Sequence, residues 1–226
     1  MPTLQQRYET VQHRIQHAAE QHGRDPAEIS LLAVSKTKPA ADIQALADLG
    51  QQPFGENYLD EAVAKQAELA GLPIEWHFIG ALQSNKTRIA AERMDWVQTV
   101  DRLKIGRRLH EQRPADRPAL NVLVQVNISA EPQKAGVAVE ALPVLLRELA
   151  ALDRLRVRGL MAIPAAATTF EAQRVPLDAL KRLFDQHRDH YGFDTLSMGM
   201  SGDLDAAIAS GSTLVRVGRA LFGARD

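Results

Sequence analysis

The stretch LLAVSKTKP, residues 31–39, carries an apolar run into Ser35 and Lys36, then reaches a second lysine, Lys38, just before Pro39. An ammonium at the end of a buried strand is costly unless it opens onto a pocket, where partial desolvation lowers its pKa and supplies a neutral amine. Such an amine attacks carbonyl carbon, so the chemistry is Schiff-base formation. Lys38, followed at once by proline, is expected at the entrance of the next helix and outside the pocket. Two later stretches supply a complement. In SMGMSGD, residues 197–203, Gly199, Ser201 and Gly202 precede a helix, and in RVGRA, residues 216–220, Gly218 and Arg219 stand at another strand-to-helix junction. First-turn N–H groups and the helix dipole favour an anion at such places. Glycines also serve plain tight turns. Arg216, inside the apolar strand TLVRVG, tips the reading towards a ligand site, because a buried arginine needs an acceptor. An amine and a phosphate cradle together describe a ligand carrying both an aldehyde or ketone and a phosphate: pyridoxal phosphate or a phosphorylated sugar.

The elements that must position these groups follow from the hydrophobic pattern. Apolar runs at 31–35, 53–55, 76–80, 96–100, 121–127, 157–161, 195–198 and 214–217 give eight candidate strands. Between them lie helical patterns with readable ends. Pro39 opens one that closes at Gly50, Asn57 caps one that closes at Gly71, and Ser84, Asp101 and Ser201 stand at N-cap positions. The longest pattern, 170–190, repeats Val175, Leu177, Leu180, Leu183 and Phe184 on one face. Ahead of them all, Leu4, Tyr8, Val11, Ile15 and Ala18 form a leading helix over 1–23 that stops at Gly23. Strands alternating with helices imply a parallel sheet, and eight such units in about 200 residues fit a (β/α)8 TIM barrel better than an open sheet. No linker composition divides the chain, so one domain is expected over 1–226, with the barrel over 30–225. In that fold the active site gathers at the carboxyl ends of the strands, where Ser35, Lys36, Glu56, Asn57, Gln83, Ser84, Asp101, Asn127, Met161 and Pro164 fall.

Composition narrows the classes of function. With 27 Lys and Arg against 28 Asp and Glu, the chain lacks the basic excess of a nucleic-acid or anionic-membrane binder. It has no cysteine, which excludes disulfides, thiolate metal sites and cysteine nucleophiles. Neither a signal-peptide core nor an apolar run near the roughly 18 residues of a membrane span is present, so a cytoplasmic protein is expected. His187 and His190 have metal-like spacing with Asp189 nearby, yet the segment is strongly polar and reads as a solvated face. No metal is expected. His77, between Trp76 and Phe78, reads first as a hydrogen-bonded core histidine and second as a ligand contact. Lys86 is a candidate anion contact at a helix start.

LLAVSKTKP, FGENYLDE, WHFIGALQSNK, VLVQVNIS, RGLMAIP, LSMGMSGD, AIASGSTLVRVG and ALFGAR, in that order over roughly residues 10–225, resemble the pyridoxal phosphate homeostasis proteins, also called the proline synthetase co-transcribed homologue type. The resemblance implies the fold-type III barrel of alanine racemase, with pyridoxal phosphate held as a Schiff base on Lys36. Ser201, Gly218 and the backbone of Arg219 would hold the phosphate. Arg216 would face the pyridine nitrogen, Asn57 would lie near the ring, and Lys134 matches a lysine at the pocket rim. It implies a monomeric cofactor carrier without catalytic residues, serving apo forms of pyridoxal phosphate enzymes. A guanidinium facing the ring nitrogen donates and leaves that nitrogen unprotonated, which blunts the cofactor as an electron sink. The related racemase takes its second base from another domain, which is not expected here. An amino-acid racemase-like enzyme is the alternative, and a lysine Schiff-base aldolase acting on a sugar phosphate is the third reading.

Overall fold

The computed structural model describes residues 2–131 and 133–223, so the outer limits of the expected domain, residue 1 and residues 224–226, lie outside the described residues. Eight strands form, β1 Ser30–Val34, β2 Pro53–Glu56, β3 Glu75–Phe78, β4 Trp96–Val100, β5 Leu120–Gln125, β6 Leu155–Met161, β7 Thr195–Ser197 and β8 Leu214–Val217. Each pairs in parallel with the next, and β8 returns to β1 with Leu32 opposite Arg216 and Ala33 opposite Val217, which closes the barrel. Every apolar run of the sequence is a strand, with ends displaced by at most two residues. The second strand, PFGE, has little apolar content of its own, and parallel pairing on both sides makes it a strand.

Helices fill the crossovers: α2 Ala40–Asp48, α3 Leu59–Glu68, α4 Thr87–Arg93, α5 Leu103–Gln112, α6 Leu142–Ala150, α7 Phe170–Tyr191, α8 Leu204–Ala209 and α9 Arg219–Phe222, preceded by α1 Leu4–Gln21. The stripe of α7 buries Leu177, Leu180 and Phe184 against the sheet, and Gly192, at φ +65°, ends the helix in the left-handed conformation that suits glycine. Thr3 caps α1, whose Val11, Ile15, Ala18 and Ala19 are buried where it packs beside α8, α9 and α2. Four expected caps sit elsewhere. Tyr58, Arg102 and Asp203 occupy the N-cap positions where Asn57, Asp101 and Ser201 were expected, because each chain runs one or two residues further before its helix begins. Ser84 opens a turn of 3-10 helix ahead of α4, and its carbonyl accepts from the Thr87 hydroxyl.

Strand alternation separates two interiors. Outward residues, Phe54, Trp76, Val97, Val122, Leu160 and Leu196 among them, join the helices in the main core, while Trp96, Leu123 and Met161 form a separate apolar cluster in the lumen. Between β5 and β6 the register slips, since Val122 faces Val157 but Leu123 faces Gly159. Gly159 has φ +151°, and a Cβ there would stand 1.9 Å from the Thr195 carbonyl oxygen. Only glycine lets the bulged strand approach its neighbour so closely, and the bulge turns Met161 into the lumen. Among the described residues no helix is long and apolar enough to cross a membrane.

Candidate functional site at the carboxyl end of the barrel

Lys36 stands two residues beyond the end of β1, is half-buried, and lines a cavity of about 470 Å3 together with Val34, Thr37, Lys38, Gly218 and Arg219. Lys38 therefore shares the cavity that the sequence pattern would have kept from it. The reason is a tight turn, in which the Lys38 N–H donates to the Ser35 carbonyl at 3.0 Å and folds the second lysine back over the strand end. Thr37 sits in this turn at φ 64°, a conformation that strains a β-branched residue. Its N–H donates to Glu61 Oε1 at 2.6 Å, which holds the strained geometry.

Behind the turn lies an ionic cluster that sequence inspection overlooks. Lys65 reaches inward from α3, and its Nζ donates to the Ser35 carbonyl at 2.8 Å, to Glu56 Oε1 at 2.7 Å and to Glu61 Oε1 at 2.6 Å. The Ser35 hydroxyl donates to the same Glu56 oxygen at 2.6 Å. Ser35 and Glu56 are fully buried and Lys65 is nearly so. Burial raises the Glu56 carboxyl above its ordinary value, opposed by the hydrogen bonds from Lys65 and Ser35. Alternation places both residues on the outer face of the sheet, so these two strand-end residues brace the site without lining it. Glu61 and Lys65 stand four apart on a helix, a spacing that ordinarily marks an exposed surface pair.

On the opposite side of Lys36, β8 delivers Gly218, where an added Cβ would stand 3.3 Å from the Val34 carbonyl oxygen. Gly218 is the N-cap of α9, its carbonyl accepts from the Leu221 and Phe222 N–H groups, and it lines the same cavity as the exposed Arg219. Two residues deeper, Arg216 points into the lumen. Its Nη1 donates to Ser197 Oγ at 2.7 Å and its Nη2 to the Ala162 carbonyl at 2.9 Å. Burial pushes its pKa down to about 10, and nearby Asp203 opposes the shift, so the guanidinium stays charged at neutral pH.

The remaining expected residues sit around this centre. Asn57 lines a neighbouring cavity of about 410 Å3 with Tyr58, Phe78, Gly80 and Lys86, and its Oδ1 is buried without a hydrogen-bond partner. Gly80 makes this corner possible, since a Cβ there would stand 2.2 Å from the Asn57 carbonyl oxygen. Lys86 meets Asp60 at 3.0 Å at this second cavity. Ser201 lies to the other side, lining a pocket of about 220 Å3 under α1, and its carbonyl accepts from Arg14 at 2.8 Å. Lys134 pairs with Glu131 at 2.7 Å. The structure thus brings Lys36, Gly218 and Arg219 onto one cavity and sets Arg216 below it, while Asn57 and Ser201 line adjoining depressions. Histidines 187 and 190 pack against Tyr191, and no cluster of metal-ligating side chains occurs among the described residues.

Comparison with known proteins converges on the same reading. The chain matches the family model for the alanine racemase N-terminal domain over residues 7–226. The pyridoxal phosphate homeostasis protein of Pseudomonas aeruginosa is 55% identical over 226 residues, spanning 100% of this chain and 97% of that protein. Its namesake from Escherichia coli K12 is 52% identical over 220 residues, spanning 96% and 94%. Among solved structures, PipY of Synechococcus elongatus PCC7942 with pyridoxal phosphate bound aligns at a TM-score of 0.81 and 36% identity, spanning 92% of this chain and 100% of PipY. With relatives this similar over their full length, and with the closed eightfold barrel in place, the chain belongs to the pyridoxal phosphate homeostasis protein family.

Proposed function

We propose that this protein binds pyridoxal phosphate at the carboxyl end of the barrel, through a Schiff base to Lys36, and serves intracellular homeostasis of that cofactor. The observation that carries the proposal is one shared cavity, lined by the Lys36 amine on one side and by the N-terminus of α9 at Gly218 and Arg219 on the other. An aldehyde needs the first and a phosphate the second. The donor set fits the cofactor, and the unpartnered Oδ1 of Asn57 nearby is a buried acceptor that a bound polar group would satisfy. Pyridoxal phosphate supplies an aldehyde carbon and an electron-withdrawing ring when bound. The chain's own residues would hold it: Lys36 by the covalent link, Gly218 and Arg219 at the phosphate with Ser201 from the adjoining pocket, Asn57 near the ring, and Arg216 facing the pyridine nitrogen. PipY with the cofactor bound and the names of the two relatives above support this choice over a sugar phosphate.

A holding role fits better than a catalytic one. Arg216 is charged and can only donate, so it cannot protonate the ring nitrogen. Apo forms of pyridoxal phosphate enzymes are the recipients that this role requires, and a cytoplasmic monomer is the form in which it would serve them. Adding pyridoxal phosphate to the purified protein is expected to produce a visible Schiff-base band, and mass spectrometry after borohydride reduction to place the adduct on Lys36. A band that survives in Lys36→Ala, or an adduct mapped to Lys38, overturns the assignment. Exchange of amino-acid α-hydrogen in deuterated water above the level of free cofactor would establish the racemase-like reading instead.

A further inference from the structure

The lumen below the proposed site is crossed by polar side chains that the binding reading leaves unused. Ser197 Oγ accepts from Arg216 Nη1 at 2.7 Å and donates to Gln98 Oε1 at 2.7 Å. Gln98 Nε2 lies 2.8 Å from His77 Nδ1, and His77 Nε2 lies 2.6 Å from Glu75 Oε1. Ser197 on β7 and Gln98 on β4 are not on adjacent strands, so their contact exists only because side chains meet across the barrel. Ser197, Gln98 and His77 are all buried, and Glu75 emerges half-exposed at the amino-terminal mouth. His77 is held in place by Trp96, which stacks on it at 5.0 Å between centroids and whose ring centroid lies 4.8 Å from the Arg158 guanidinium.

The chemistry of the two ends allows this chain one direction only. A guanidinium has no acceptor, so Ser197 must take the hydrogen bond from Arg216 and send its own proton onward. Its acceptor is the Gln98 carbonyl oxygen, which turns the amide NH2 towards His77. An NH2 group can only donate, so His77 Nδ1 must be bare, its proton must sit on Nε2, and Glu75 must receive it as a carboxylate. Flipping the Gln98 amide would present two donors to the Ser197 hydroxyl and leave its proton without an acceptor. Burial also lowers the His77 pKa, in keeping with a neutral ring, although Glu75 opposes that shift.

We propose that Ser197, Gln98 and His77 are positioning residues that form a one-way hydrogen-bond chain through the barrel, anchored on Glu75 at the opposite mouth and fixing the Arg216 guanidinium that would face the pyridine nitrogen. The role in cofactor retention rests on the proposed pyridoxal phosphate site, whereas the direction of the chain does not. In a chain of this kind each donor is polarised by the next, and the terminal carboxylate stabilises the orientation of the charged head.

Nitrogen NMR of the ligand-free protein labelled in its histidines tests the chain without any cofactor. The expected result at neutral pH is a His77 with a pyridine-type Nδ1 and a protonated Nε2. Gln98→Glu, which offers His77 an acceptor in place of a donor, is expected to bring a proton onto Nδ1. A wild-type His77 that carries a proton on Nδ1 overturns the proposal. In the loaded protein, Ser197→Ala is expected to release pyridoxal phosphate about tenfold faster while keeping the Lys36 Schiff-base band, and Ser197→Thr to restore the wild-type rate. An unchanged release rate in Ser197→Ala overturns the positioning role. If the wild type shows no Schiff-base band, the cofactor reading fails while the NMR result still decides the chain.

Discussion

At the scale of single residues, the turn that presents Lys36 depends on a second lysine, which is not among the residues lining the cavity. Lys65 spends its three donors on Ser35, Glu56 and Glu61, and through them holds both ends of the turn that presents Lys36. Removing one partner of a buried ion pair leaves an uncompensated charge, which costs far more than the intact pair contributes. Lys65→Ala is accordingly expected to destabilise the protein by roughly 3–5 kcal/mol, measured as a lower urea midpoint. Adding Glu56→Gln should recover part of the loss, because the stranded carboxylate is then gone. Lys36 itself was legible from its place at the end of an apolar run. Lys65 was not, because an i, i+4 pair on a helix reads the same whether the helix face is wet or buried, and only the neighbouring strand ends make it buried.

At the scale of elements, strand positions were readable and their terminations less so. The alternation of apolar runs with amphipathic stripes survives because each strand must bury both faces and each helix one. Caps were displaced because the course of these loops is set by the barrel rim and not by the polar residue alone: the Asn57 Oδ1 stays without a hydrogen-bond partner, Asp101 pairs with Arg102, and Asp203 accepts from the Met200 N–H at 2.7 Å. The bulge on β6 was invisible to pattern alone. Gly159→Ala would place a methyl against the Thr195 carbonyl and hold an alanine at φ +151°, so a loss of at least about 2 kcal/mol in urea unfolding is expected. Because the bulge also sets which β6 side chains enter the lumen, the near-ultraviolet signal of Trp96 should change with it.

For the whole molecule, the leading helix is bound to the barrel at the very loop proposed to meet the phosphate. Arg14 of α1 donates to the Ser201 carbonyl at 2.8 Å and to Asp205 at 2.6 Å, while Val11 and Ile15 join the main core. We infer that helix and barrel form one domain, and a single urea transition is expected, with tryptophan fluorescence and far-ultraviolet circular dichroism coinciding. Two separated transitions would show α1 to be a separate unit. The sequence by itself determined the number and kind of elements, the placement of Lys36 at a strand end, and membership of the family, because period, burial and motif order are properties of the chain read along its length. Closure of the sheet decided the rest. Only when β8 meets β1 does Arg216 fall beneath Lys36, and only across a closed lumen can Ser197 reach Gln98. Contacts between residues roughly a hundred positions apart have no local signature, since they are set by the curvature and register of all eight strands together.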